Sequence, residues 1–173
     1  MQRNDFMKNR KLWINMIVIA VLILAFIGPI LYFDYVNTWK LNANYEEYAD
    51  EFNLVKDYIA EEFPNESDKW VSVSYSSTYG LRIYDPDADE YLQVRDDALV
   101  ALRVISKEAF PDKDSDLDVI RIHGDRISFC TESGHYALVY SPNKKPTWLN
   151  SPDKKDKVKV KKIGEGWYHV TIR

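Results

Sequence analysis

Hydrophobic and polar positions follow three different regimes along this chain. From residue 12 to residue 33 the sequence LWINMIVIAVLILAFIGPILYF is apolar all round, with Lys11 the last charge before it and Asp34 the first after it. At the rise of an α-helix, such a run covers roughly 33 Å, slightly more than a bilayer's hydrocarbon core. It also lacks the polar stripe that a core helix of a water-soluble domain keeps. Asn15 sits within a turn of one end, and Gly28-Pro29 removes a backbone hydrogen bond, which membrane helices tolerate. Residues 12–33 are therefore expected to form a transmembrane helix.

The second regime has a helical period. From Asn44 to Phe63, Tyr45, Tyr48, Phe52, Val55, Ile59 and Phe63 recur at spacings of three and four. This predicts an amphipathic helix with Asn44 as N-cap, Glu47 completing a capping box, and Pro64 as the stop. A second helix is expected from about Asp89 to Phe110-Pro111, burying Tyr91, Val94, Ala98, Leu102, Ile105 and Ala109.

The third regime alternates. KWVSVSYSSTYGLRIYD reads as a hairpin, with Val71, Val73 and Tyr75 on one face and Ser72, Ser74 and Ser76 on the other. LDVIRIHGDRISFCTE reads as a second hairpin turning at Gly124-Asp125, with Ile120 and Ile122 inward and Arg121 and His123 toward water. HYALVYS adds a strand, and KVKVKKI with WYHVTIR makes a terminal hairpin. The expected fold class is α+β: an N-terminal transmembrane helix followed by a small domain with a mainly antiparallel sheet and two helices on one face.

Charge then gives the orientation. Arg3, Lys8, Arg10 and Lys11 precede the apolar run against Asp5 alone, so the positive-inside rule holds residues 1–11 in the cytoplasm. Residues 34–43 become a stalk and residues 44–173 an extracytoplasmic domain. A cleaved signal is the competing reading, but the run exceeds the usual signal length and PILYFDYVNTWK offers no small-x-small cleavage site. Trp13 at one edge, and Tyr32, Tyr35 and Trp39 at the other, match interfacial aromatic belts.

Composition excludes several classes. One cysteine among 173 residues rules out a disulfide framework, and three histidines leave little for a histidine-rich metal site. The net charge of −4 argues against nucleic acid as a partner. Charge is segregated, however. Residues 45–118 carry 20 acidic and 7 basic side chains, whereas residues 119–173 carry 5 and 11. Lys154, Lys155, Lys157, Lys159, Lys161 and Lys162 are the densest basic cluster and the candidate polyanion contact, alongside Lys144 and Lys145. The plainer reading is a solvated edge strand that its lysines keep from pairing.

Asp85, Asp87 and Asp89 are the candidate calcium ligands, since Asp-x-Asp-x-Asp resembles the opening of an EF-hand loop. Glu90 stands where that loop needs glycine and Asp96 where it needs glutamate, so a cap on the second helix by Asp87 or Asp89 competes with the calcium reading. Asp112, Asp114, Asp116 and Asp118 repeat the spacing with Leu117 at the turn position. His123, His135 and His169 fall on separate predicted strands without metal-ligand spacing. Cys130 lies among apolar strand residues without an adjacent cation in sequence, which predicts a buried, unreactive thiol. Ser133 beside His135 has no nucleophile-elbow context. Tyr79, Tyr84, Trp148 and Trp167-Tyr168 are candidates for a binding face, since tyrosine gives contact area at small entropic cost.

The expectation is a membrane-anchored extracytoplasmic binding or accessory module of a bacterial envelope. One partner is the lipid bilayer through residues 12–33, the other an envelope protein or surface polymer, with no catalytic motif and no cofactor. Two alternatives stand beside it: an envelope-associated hydrolase or transferase using unidentified Asp, Glu or His residues, and a polyanion- or calcium-responsive surface domain.

Overall fold

A computed structural model describes residues 16–19, 21–23, 25, 27–30, 32, 44–64, 66–76, 78–110, 117–131, 134–153 and 157–172. The chain divides into two compact units, Met1–Trp39 and Lys40–Arg173. In the first, every described residue is helical and the described large aliphatic side chains between Met16 and Ile30 are exposed. Among the described residues no helix is long and apolar enough to cross a membrane; within 12–33 they form runs of at most four. The expected cytoplasmic segment 1–11 and stalk 34–43 lie outside the described residues.

The second unit is an α+β domain built on one antiparallel sheet of eight strands. These are β1 (Lys69–Ser76), β2 (Gly80–Asp85), β3 (Glu90–Tyr91), β4 (Leu117–His123), β5 (Arg126–Thr131), β6 (Tyr136–Tyr140), β7 (Val158–Lys162) and β8 (Trp167–Ile172). Their spatial order is β3-β2-β1-β4-β5-β6-β8-β7. Two meanders thus meet at β1 and β4, and the terminal hairpin adds through β8, leaving β7 as an edge.

Two helices, α1 (Ala49–Glu62) and α2 (Asp96–Val104), cover one sheet face, and α2 continues into a π-helical turn, Ile105–Ala109. The stripe expected on the first helix is the buried one: Phe52, Val55 and Ile59 are essentially inaccessible and Tyr45 and Phe63 are buried. Phe52 meets Phe129 and Trp167 edge-on, with ring centroids 5.3 and 5.8 Å apart. Trp167 also donates its indole N–H to Asn53 Oδ1 at 3.1 Å, so the one polar atom of this buried ring is satisfied. Of the residues expected on a binding face, Trp167 is instead a centre of the main core.

Three local expectations need correction. Residues 44–47 are already helical and Tyr48 interrupts the helix before α1, so Asn44 is no N-cap; its side-chain amide donates to the carbonyl of Ala109. That bond satisfies a carbonyl orphaned at the end of the second helical segment. The second helix begins at Asp96 rather than near Asp89, because residues 86–89 form a turn with Asp89 at φ 56° and Glu90–Tyr91 pair with β2. Asp87 and Asp89 therefore cap no helix, and Tyr91 leaves the expected stripe for the sheet edge, where it is 53% exposed. The end of that helical segment falls before Phe110, as its periodicity implies.

The opposite sheet face is covered over half its width by the segment from Ser141 to Asp153. Leu149 is fully buried there against Cys130, Ala137, Val139 and Val170, forming a second, smaller core. Arg121 and His123, expected toward water, are therefore only partly exposed.

Candidate functional site

Among the described residues, the part of that opposite face formed by β1, β2 and β3 is left uncovered. Strand alternation places Val71, Val73, Leu81 and Ile83 in the core, so Trp70, Ser72, Ser74, Arg82 and Tyr84 fall on the other side. Ser72 is paired across the ladder with Tyr84, Ser74 with Arg82, and Tyr84 in turn with Tyr91. Small hydroxyl residues on one strand thus stand beside long aromatic and cationic ones on the next.

Arg82 is the centre of this surface. Its guanidinium carbon lies 4.2 Å from the Tyr79 ring centroid and 4.6 Å from that of Tyr91. Tyr84 and Tyr91 rings are 5.3 Å apart. Tyr84 donates its hydroxyl to Asp89 at 2.5 Å, and this bond, with burial and the carboxylate charge, raises the phenol's pKa. The positive φ at Asp89 aims that carboxylate back along the strand pair. Trp70, Tyr79 and Tyr91 are 43%, 67% and 53% exposed, large apolar area for a sheet face in water. Cation–π contact on two rings holds Arg82 flat with little side-chain freedom left to lose on binding.

The three candidate calcium ligands are not brought to one point. Asp85 is buried; its carboxylate takes Lys69 Nζ at 2.8 Å and the backbone amides of Asp87 and Ala88 at 3.0 and 3.4 Å. Burial pushes the Asp85 carboxyl upward, but the bonds from Lys69 and those amides outweigh it and hold it below the usual carboxylate range. Asp87 reaches the same ammonium at 3.6 Å and Asp89 binds Tyr84. Lysine thus already occupies the place of a cation. Among the described residues no group of three His, Cys, Asp or Glu side chains is placed to hold a metal ion.

The other candidates are scattered. His123 meets Trp148 edge-on at 4.9 Å, with Nδ1 4.0 Å from Asp68, and His169 is buried beside Tyr136. Cys130 is buried and its thiol is pushed up to about 11 by burial, despite opposing effects from Arg121 and Arg126. Of these cations, Arg121 comes from the paired strand β4 and Arg126 from β5 itself, four residues before Cys130. Trp148 stacks on Arg126, and Tyr168 packs against the second core. Lys159 and Lys161 fall on one face of β7 and Lys162 on the other, with Lys157 just before the strand. Lys154, Lys155, Asp112, Asp114, Asp116 and Ser133 lie outside the described residues.

Arg82, Trp70 and Tyr91 are the site residues that sequence reading left out. Tyr91 falls on the expected helix stripe, whereas the signal for Arg82 lies in the alternation: a Ser-x-Ser-x-Ser face must be paired with something, and the next strand offers Arg82 and Tyr84. Comparison with known proteins finds no matching family model, no matching curated protein and no matching solved structure.

Proposed function

We propose that this chain is a single-pass, membrane-anchored binding module whose α+β domain works outside the cytoplasm and docks another envelope protein through the open face of β1, β2 and β3. The anchor rests on the uncharged apolar run 12–33 and the basic residues before it. The docking reading rests on one observation above all: exposed Tyr79 and Tyr91 hold Arg82 between them beside Tyr84. Tyrosine, tryptophan and arginine are the residues that dominate interface energetics, and here they are gathered and pre-ordered on a flat face. The serine ladder beside them lets a partner approach closely and offers hydroxyls at the rim.

Site-specific photo-crosslinking of the full chain in its membrane tests both parts. A crosslinker at position 79 or 91 gives a discrete adduct, Arg82→Glu removes the adduct, and a crosslinker at exposed Val100 on α2 gives none. Equal labelling from all three positions overturns the docking face. A C-terminal phosphatase fusion is active under the proposed topology, and an inactive one overturns the orientation.

A further inference from the structure

On the helix side of the sheet, away from the docking face, a cavity of about 330 Å³ opens between the ends of β1, β2 and β4 and the π-helical turn. Its floor is apolar: Val73, Leu81 and Leu117 are buried there. Its wall is not. Arg103, Ser106 and Lys107 line it from one side of α2 and the π turn, and Asp118 stands at the foot of β4.

Two features of that wall want a ligand. The ion pairs made among the described residues use Lys56, Lys69, Arg95 and His123, so both cations that line the cavity stand without one there. Ser106 Oγ is buried with no hydrogen-bond partner. A helical serine ordinarily bonds back to a carbonyl of the preceding turn, and a buried hydroxyl left unsatisfied carries an uncompensated desolvation cost. Arg103, Ser106 and Lys107 stand at i, i+3 and i+4, the spacing that shares one helix face, and the last two belong to the π turn, a geometry that recurs at functional sites.

We infer that this cavity binds a carboxylate carried on a compact apolar group. Arg103 and Lys107 take the carboxylate, the Ser106 hydroxyl donates to it, and the apolar group lies on Val73, Leu81 and Leu117. One negative charge suits the wall better than two, because Asp118 opposes a phosphate dianion, whereas an arginine fork matches a carboxylate. The same chemistry is offered by a free short-chain acid and by the end of a peptide closing in an apolar residue. Asp118 distinguishes them, since it can accept the amide N–H that only the peptide end possesses.

Ligand-observed NMR on the full chain in neutral-lipid nanodiscs tests this with three probes: 4-methylpentanoate, N-acetyl-leucine and N-acetyl-leucine N-methylamide. Both acids bind and the neutral amide does not. Arg103→Gln with Lys107→Gln, two exposed changes that leave the core intact, weakens both acids roughly tenfold or more. Tighter binding of N-acetyl-leucine that falls to the level of the simple acid in Asp118→Ala assigns the peptide end as source, since alanine removes the acceptor. Equal binding of the two acids, unchanged by Asp118→Ala, assigns the free acid. Binding of the N-methylamide as strong as the acids, no binding of either acid, or full affinity in the double glutamine variant overturns the site.

Discussion

The guanidinium of Arg126 lies 3.6 Å from the centroid of the Trp148 ring, buried to 5% exposure with no carboxylate paired to it among the described residues. Its hydrogen bonds go to neutral acceptors, Ser128 Oγ at 3.2 Å and the Leu149 carbonyl at 3.3 Å. Burial lowers its pKa to about 10. The indole face and those two oxygens therefore replace water around a cation that stays charged at neutral pH. They also fasten the Ser141–Asp153 segment to the sheet above the second core.

Trp148→Ala is expected to destabilise the domain by about 2 kcal/mol, through lost packing and the lost cation–π contact. Trp148→Phe recovers most of that. Arg126→Met keeps stability within about 1 kcal/mol, since an unpaired buried charge is removed together with its contacts. Denaturation followed by circular dichroism separates these outcomes. A loss from Arg126→Met as large as that from Trp148→Ala shows that the guanidinium is a net stabiliser.

Lys69 and Asp85 are the buried ion pair of the first meander, with side chains 11% and 6% exposed, and Lys69 also lies 4.9 Å from the Phe63 ring centroid. The hydrogen bond to Asp85 raises the Lys69 pKa above 10.5 against the opposing effect of burial, while Asp85 lies below 3.8. The lysine's contribution is complete below 10.5 and fades as pH rises through its folded value. The aspartate's is complete above 3.8 and fades as pH falls through its own. Both hold together across the neutral range. Lys69→Met strands a buried carboxylate and is expected to cost about 3 kcal/mol at pH 7. Its deficit shrinks in acid, where Asp85 protonates, and Asp85→Asn in the same chain recovers part of it. A deficit independent of pH shows that packing against Phe63, not charge, is what Lys69 supplies.

Gly166 closes the turn between β7 and β8 at φ 70°, and a Cβ there would meet Tyr140 Cε2 at 2.8 Å and Pro142 Cα at 3.4 Å. Its carbonyl accepts the Ser141 amide at 2.7 Å. Gly166→Ala combines a left-handed backbone with a clash that Tyr140 relieves only by leaving Trp167, whose ring centroid is 5.4 Å away. A loss of about 2 kcal/mol is expected. Gly124→Ala, also at positive φ but with nothing within 4 Å of its Cβ, costs only the strain, about 1 kcal/mol. Equal losses at the two positions contradict the steric part.

The sequence made the first helix legible because six aromatic and aliphatic residues from Tyr45 to Phe63 repeat on one face and no neighbouring element competes for them. The hairpins at Gly124-Asp125 and at the C-terminus were legible for the same reason, since alternation and a turn agreed. The start of α2 was not. Tyr91 and Val94 share the spacing of Ala98 and Leu102, and only tertiary pairing of Tyr91 with Tyr84 takes Tyr91 out of the helix. Strand order is set by which faces the two helices cover, a long-range choice with no local mark. The β1–β3 face was half legible: Tyr79 and Tyr84 stood out as aromatics, but Arg82 acquires meaning only when Tyr79 and Tyr91 arrive from either side. The cavity beside the π turn left no trace in sequence, because Val73, Leu81 and Leu117 come from three strands that only the fold brings beneath Arg103, Ser106 and Lys107.

The last strand in space, β7, has no strand beyond it among the described residues, whereas β3 at the other edge is only two residues long. Val158 and Val160 face the second core, and Lys159, Lys161 and Lys162 flank them. Alternating valine and lysine gives the strand an inward apolar side while the charges oppose stacking of a second copy on the edge. Lys159→Val with Lys161→Val turns the strand into a charge-poor β-branched run, and the protein is expected to associate through this edge. Sedimentation velocity detects it as a concentration-dependent dimer or larger species. Lys159→Glu with Lys161→Glu keeps the charge density and remains dispersed; association of that variant to the same extent shows that lysine itself, through a bound anion, guards the edge.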